Sequence, residues 1–195
     1  MSTYKQHLYF IGIIPPEPIY SDIKEFQQHV ADKYKSKEAL RHPTHATLIP
    51  PFRLDESRQP ELVKFIENIA AKQDKFELAI DGFGSFTTGV IYAAILLSDP
   101  LKKLEKELTH PFYKKFGLTK EKGPSHAFIP HITIGYKDLS PLVFPQAWEE
   151  FKSKLYRRKW MLKDIALLRH NGKEWTVIQK LELGTAKENE LLLSF

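Results

Sequence analysis

Two short segments hold the residues best suited to chemistry: His45-Ala46-Thr47-Leu48 and His131-Ile132-Thr133-Ile134. Imidazole titrates near neutrality, so one ring can take a proton from water while another gives one to a departing ribose oxygen. A threonine hydroxyl can donate to a non-bridging phosphate oxygen, where negative charge must be held in the transition state. Acid, base and oxyanion contacts would then all be side chains, so attack on a phosphodiester would need no metal. One His-x-Thr is weak evidence, because a chain with eight histidines yields roughly 0.4 copies by chance. Two copies, each in a context of alternating apolar residues, carry much more.

That alternation says how the groups must be mounted. In a strand, residues i and i+2 share a face while i+1 and i+3 take the other. His45 and Thr47 therefore face a cleft together while Ala46 and Leu48 face a core, and His131 and Thr133 do the same against Ile132 and Ile134. Gly135 leaves backbone room for a ligand on the His131 side. The supporting elements read in order along the chain. An apolar, β-branched run at 8–14 is a strand stopped by Pro15-Pro16. Ser21 or Asp22 caps a helix with Ile23, Phe26, Val30 and Tyr34 on one side. A strand at 44–49 closes at Pro50-Pro51, and Pro60 opens a second helix carrying Leu62, Phe65, Ile66 and Ile69. Residues 76–86 form a strand bulged at Gly82 or Gly84, 90–97 a central strand, and Asp99-Pro100 starts a helix with Leu101, Leu104, Leu108 and Phe112. Residues 117–125 are a loop, 128–136 the second histidine strand and 146–156 a helix. Residues 161–169 and 174–183 make a hairpin around Asn171-Gly172, a two-residue turn signal. The order predicts an α+β protein with one histidine strand in each half.

At these residues the chain resembles the two-histidine (2H) phosphoesterase superfamily, in particular its bacterial members named for 2′-5′ RNA ligase and cyclic phosphodiesterase. Residues 10–16 look like that family's first strand, and His45-Ala-Thr-Leu is similar to its first motif. Residues 84–97 with the helix at 101–108 look like the stretch between motifs. Phe128-Ile-Pro-His131-Ile-Thr-Ile-Gly is similar to the second motif with its approach, and 161–183 resembles the closing hairpin. The resemblance implies an α+β, bilobal single domain over 1–195, with two antiparallel sheets lining a central cleft and helices outside. It implies hydrolysis of nucleotide or RNA 2′,3′-cyclic phosphates, or of related cyclic and 2′-5′ linkages, with no cofactor. His45 and His131 would be acid and base in an order left open, and Thr47 and Thr133 would hold the phosphate. One position departs: Tyr136 stands where many relatives named for RNA ligase have arginine, so the bidentate phosphate contact of a guanidinium is lost there. Pro50-Pro51-Phe52 after the first motif is a second departure.

The remaining candidates divide between chemistry and packing. Phe52, Phe86, Phe128 and Tyr136 could stack on a base, with core packing the better account of Phe86 and Phe128. Arg41, Arg169 and Lys173 could reach a phosphate or stand as solvated charges. His42-x-x-His45 has metal-like spacing, but Pro43 breaks the helix that would align the pair and no neighbouring carboxylate completes a set. His7, His29, His110, His126 and His170 lack a partner pattern, although His126 precedes the second motif closely enough to approach the cleft. The apolar end 191–195 is read as docking on the body or on a partner.

Composition narrows the classes. The chain has 195 residues, no cysteine, 42% apolar and 27% charged residues and a net charge of +5. Disulfides, thiolate nucleophiles and cysteine zinc sites are thereby excluded. No run approaches the roughly 18 apolar residues of a membrane span, and the N-terminus lacks a signal-peptide core, so a cytoplasmic protein with no membrane partner is expected. The positive balance suits an RNA end or small cyclic nucleotide as partner, and a monomer is expected. Phosphate-loop, dinucleotide-fold, nucleophile-elbow and His-Glu-x-x-His motifs are all missing. Three further readings remain: an RNA- or nucleotide-binding protein with little turnover, 2′-5′ ligation by the reverse reaction, and a metallohydrolase built on His42, His45 and His131.

Overall fold

A computed structural model describes residues 5–87, 89–118 and 127–186. The loop residues 119–126, including His126, and the apolar end 191–195 lie outside that range, as do the expectations attached to them. The elements are β1 (Gln6–Ile13), α1 (Ile19–Tyr34), β2 (Ala46–Asp55), α2 (Gln59–Ala70), β3 (Phe76–Phe86), β4 (Val90–Ile95), α3 (Asp99–Phe116), β5 (His131–Gly135), α4 (Phe144–Lys152), β6 (Arg157–Leu162), β7 (Asp164–His170) and β8 (Trp175–Glu182). Short 3-10 turns at Glu38–Arg41 and Glu56–Arg58 flank β2.

The strands form one antiparallel ladder in the order β6-β3-β4-β5-β2-β1-β7-β8. In place of the two separate sheets expected from the resemblance there is one eight-stranded sheet, with halves β6-β3-β4-β5 and β2-β1-β7-β8. They are joined through a single register pair, Ala46 with Ile132. The ladder is curled. Six inter-strand spacings separate β6 from β7 in that order, roughly 29 Å in a flat sheet. Yet only Lys163 connects them, and one residue spans less than about 8 Å.

One face of the sheet carries the core. Tyr9, Ile11 and Ile13 of β1, Ile132 and Ile134 of β5, and Ile165 and Leu167 of β7 pack there with Ile23 and Val30 of α1, Leu62 and Ile66 of α2, Leu104, Leu108 and Phe112 of α3, and Phe151 of α4. The apolar helix positions read from the sequence are largely those buried. On the other face, Phe10, Ala166 and Leu168 form a small cluster with Ile14 and Trp175.

Several boundaries differ from the sequence reading for physical reasons. β2 does not stop at Pro50-Pro51 but runs to Asp55. Its pairing with β1 slips between Ile11–Ile49 and Tyr9–Phe52, and the two exposed prolines, which have no N–H to give a ladder, fall in that slip. The stretch 161–169 is not one strand: it divides at Lys163 into β6, paired with β3, and β7, paired with β1. The hairpin of β7 and β8 is present, but its loop is Asn171 to Glu174 rather than two residues. Asn171 Oδ1 accepts from the N–H groups of Lys173 and Glu174 at 2.9 Å each, and Gly172 takes φ +102. The first helix starts at Ile19 without a Ser21 or Asp22 cap. Instead the Glu17 carboxylate accepts from Ser21 N at 3.1 Å and Ser21 Oγ at 2.7 Å. The expected bulge in β3 lies at Gly82, φ +70, where the register to β4 shifts.

Candidate active site

The seam between the half-sheets is where the two motifs meet. Ala46 faces Ile132 directly, and both are buried. Directly opposed residues of an antiparallel pair share a face and their flanking neighbours share the other. His45, Thr47, His131 and Thr133, all half-buried, therefore lie together on the face away from the core. The same register sets His45 alongside Thr133 and Thr47 alongside His131, an arrangement with approximate two-fold character about the Ala46–Ile132 pair. Side chains opposed in this way begin roughly 4.5–5.5 Å apart and diagonal ones about 7–8 Å apart, the scale of one phosphate group.

Each imidazole is held by the same device. Nδ1 of His45 lies 2.6 Å from the carbonyl oxygen of Pro43, and Nδ1 of His131 lies 2.8 Å from that of Ile129. A carbonyl can only accept, so in each ring Nδ1 carries the proton. The lone pair of the neutral ring is then at Nε2, on the edge pointing away from its own backbone.

The electrostatics of the two rings differ. Burial pushes His45 down to about 4, opposed by the Pro43 carbonyl and aided by the nearby charges of His42, His131 and Lys24. His131 is also held below the ordinary range by burial, opposed by the Ile129 carbonyl. Lys24, on α1, donates its ammonium to the carbonyl oxygens of His42 at 2.7 Å and Leu40 at 3.2 Å. It thereby pins the segment that leads into His45.

A cavity of about 250 Å³ opens on this face. Its wall includes His45, Thr47 and Thr133, the apolar Phe10, Pro51 and Trp175, and a polar end formed by Gln27, His42 and Tyr136. His131 is not part of that wall. It stands beside it, packed on Phe86 and Tyr92 at ring distances of 4.9 and 5.0 Å. His45 is backed in the same way by Phe10 at 4.6 Å, which in turn meets Trp175 at 4.7 Å. Two of these rings, Phe10 and Tyr92, lie over a glycine. A Cβ on Gly12 would come 3.2 Å from the Phe10 ring and 2.7 Å from the Ala46 carbonyl oxygen, and one on Gly84 would come 2.5 Å from the Tyr92 ring.

Of the other candidates, Tyr136 reaches the cavity and its hydroxyl lies 2.8 Å from Nε2 of His42. Phe52 does not: it is 8% exposed and packed between Tyr9 and Phe112 in the core. Phe86 touches His131 rather than lying wholly in the core, whereas Phe128 packs on the core. Arg169 pairs with Tyr9 in register, so it shares the core-side face, where it donates to Gln59 Oε1 at 3.3 Å. Arg41 is exposed and pairs with Glu38 at 3.2 Å, and Lys173 is exposed in the hairpin loop. His7 and His29 meet Glu56 and Glu150, His170 packs on Trp175, and His110 is exposed on α3. The space at Gly135 serves the fold rather than a ligand, since a Cβ there would come 3.0 Å from Val30 of α1. Sequence reasoning missed Phe10, Gln27 and Trp175 as cavity residues. Phe10 and Trp175 arrive there through the pairing β2-β1-β7-β8. Gln27 arrives because α1 crosses β5, where its Nε2 donates to the Thr133 carbonyl at 2.9 Å.

The fold has known counterparts. A sequence profile of the 2′-5′ RNA ligase superfamily matches residues 15–174. The chain belongs to that superfamily, and so to the two-histidine phosphoesterases. A protein of Geobacillus sp. (strain WCH70), provisionally named a phosphoesterase, is 30% identical over 186 residues, covering 93% of this chain and 99% of its own. A protein of the same provisional name from Geobacillus thermodenitrificans (strain NG80-2) is 31% identical over 166 residues, covering 83% and 90%. Among solved structures, TT0787 of Thermus thermophilus superposes with a TM-score of 0.65 at 21% identity, covering 91% of this chain and 98% of that one. E. coli LigT complexed with 3′-AMP superposes at 0.63 with 18% identity, covering 92% and 99%. The α+β fold is therefore shared with LigT. No helix among the described residues is long and apolar enough to cross a membrane.

Proposed function

We propose that this protein is a metal-independent phosphodiesterase that opens the 2′,3′-cyclic phosphate of a nucleotide or RNA end. The observation that carries the reading is the Ala46–Ile132 register, which sets two His-x-Thr units side by side on the face away from the core. LigT, which has the same fold, was crystallised with 3′-AMP and with phosphate, and this favours a nucleotide phosphate as ligand here.

His45 is the general base. Burial and the positive charges near it keep the ring neutral, so Nε2 is free to take a proton from water as the water oxygen bonds to phosphorus. His131 is the general acid: its Nε2–H protonates the ribose oxygen as the phosphorus–oxygen bond breaks. The product is a nucleoside monophosphate. His45 leaves protonated and His131 neutral, and exchange with solvent restores both. Thr47 and Thr133 donate to the non-bridging oxygens, where transition-state charge collects. A bound phosphate anion raises the proton affinity of both rings, so the acid need only be charged in the complex.

Wild-type protein should hydrolyse 2′,3′-cyclic AMP in excess EDTA, with His45→Ala and His131→Ala each lowering kcat by about 10²–10⁴. Full activity in either variant, or loss on chelation with rescue by a divalent ion, would overturn the mechanism. Nucleotide binding without turnover would instead mark a binding protein. The same site can run in reverse to join 2′-5′ linkages, but hydrolysis is the favoured direction in water.

A further inference from the structure

His42 lies outside the two His-x-Thr units, yet it reaches the same cavity. Its Nε2 is 2.8 Å from the Tyr136 hydroxyl, and that line holds one proton. The other ring nitrogen decides whose proton it is. Nδ1 of His42 is buried and has no hydrogen-bond partner among the described residues. If the ring carried its hydrogen at Nδ1, an orphan N–H would sit in the interior at a cost of roughly 1–3 kcal/mol. Buried N–H groups without acceptors are rarer than buried acceptors lacking a donor. The charged ring would have the same orphan, and burial holds His42 below the ordinary range. Lys137, Lys24 and His170 act in the same direction as burial, and Glu38 acts against it. Tyr136 stays protonated, because burial and the Glu38 and Asp138 carboxylates push its phenol up.

We infer that His42 donates its Nε2–H to the Tyr136 oxygen and so turns the tyrosine hydroxyl proton into the cavity, as a third neutral donor for the phosphodiester beside Thr47 and Thr133. His42 is then a positioning residue and Tyr136 a substrate-binding one. The tautomer of His42 is opposite to that of His45 and His131, whose Nδ1 atoms face carbonyls. Lys24 fixes the relay by holding the His42 carbonyl at 2.7 Å. The hydroxyl's orientation follows from His42 alone. That its acceptor is a phosphodiester oxygen rests on the function proposed above.

The first test reads the tautomers directly, by long-range ¹H–¹⁵N correlation of the imidazoles in the intact protein without substrate. An Nε2–H ring at His42, with Nδ1–H rings at His45 and His131, is expected, and an Nδ1–H ring at His42 overturns the relay. The second measures the dissociation constant of adenosine 2′-monophosphate and KM for 2′,3′-cyclic AMP. Tyr136→Phe and His42→Leu should each weaken binding roughly tenfold, the value of one hydrogen bond to a charged group. The double variant should be no weaker than either single. His42→Gln, whose amide nitrogen can stand where Nε2 stood, should remain near wild type and guards against a simple folding defect. Additive losses, or a His42→Leu affinity equal to wild type, would overturn the relay. If wild-type protein turned over no cyclic nucleotide yet showed the expected tautomers and losses in binding, the phosphodiesterase reading would fall and the relay would stand.

Discussion

The two halves of the sheet solve one mechanical problem in the same way and differ in their charge. In both, an imidazole hangs from the carbonyl two residues upstream, leans on an aromatic ring, and that ring lies over a glycine. In the first half, burial drives His45 down to about 4, and the positive charges of Lys24 and of protonated His131 add to the push. In the second, burial alone lowers His131, against its own carbonyl. On the mechanism proposed above, duplicated geometry with unequal fields would make a base and an acid from identical side chains.

The largest effect should come from breaking each half against a chosen leaving group. On 2′,3′-cyclic AMP the two alanine variants should look alike, each down by about 10²–10⁴ in kcat. A diester with a p-nitrophenolate leaving group needs no proton from an acid. On that substrate His131→Ala should recover to within about tenfold of wild type while His45→Ala stays at the full loss. Recovery of His45→Ala instead would exchange the roles of the halves, and recovery of neither would argue that both rings position substrate.

The threonines come next. Thr47→Val and Thr133→Val each remove one donor while keeping the β-branched shape, and kcat should fall by roughly 10–10³. Because the register sets each threonine beside the opposite histidine, each loss should couple across the seam. A double cycle of Thr133→Val with His45→Ala should be clearly non-additive, and the pair Thr47→Val with His45→Ala less so. Equal coupling in both pairs would contradict the crossed arrangement.

These groups were legible because strand parity is local: His45 and Thr47, or His131 and Thr133, share a face whatever the rest of the chain does. Phe52 is offered by the sequence as a base-stacking residue, but it lies an odd number of residues from His45 and the structure places it in the core beside Phe112. Gly135 fits the pattern of a residue on the ligand face, but α1 fills its space with Val30, and no local pattern announces where a helix will cross. Trp175 and Phe10 reach the cavity only through a strand order that joins residues far apart in sequence. The division at Lys163 was hidden for a related reason. β6 and β7 are both strand-like and no glycine or proline stands between them, so only the curl of the whole sheet separates their partners.

The glycines under the backing rings offer a smaller contrast. Gly12→Ala would drive a Cβ to 2.7 Å from the Ala46 carbonyl oxygen, a backbone atom held in the sheet, whereas the nearest atoms to a Cβ on Gly84 belong to the Tyr92 ring, at 2.5 Å. The first should cost about 1–3 kcal/mol of stability in denaturant unfolding, as overpacking against a fixed neighbour does. The second should cost less stability, because a ring can rotate, but should lower kcat by displacing the support of His131. Equal stability losses with unchanged kcat would show that the backing rings do nothing for the histidines.

The finest distinction lies in the field around His45. On the proposed mechanism, its free-ring value of about 4 should set the acid limb of kcat/KM, which reports the unliganded enzyme. The base must be neutral, so activity is lost as pH falls through that value. His131 must be charged, and its lowered proton affinity places the alkaline limb below the ordinary imidazole range, giving an optimum on the acid side of neutral. Lys24→Met removes one of the positive charges that disfavour protonated His45. The proton then binds more readily, and the acid limb moves upward. At pH 5 the variant should lose roughly twofold more of its peak kcat/KM than wild type, while the alkaline limb, which burial and the Ile129 carbonyl set, should stay in place. A shift of the alkaline limb alone would assign the base to the other half of the sheet.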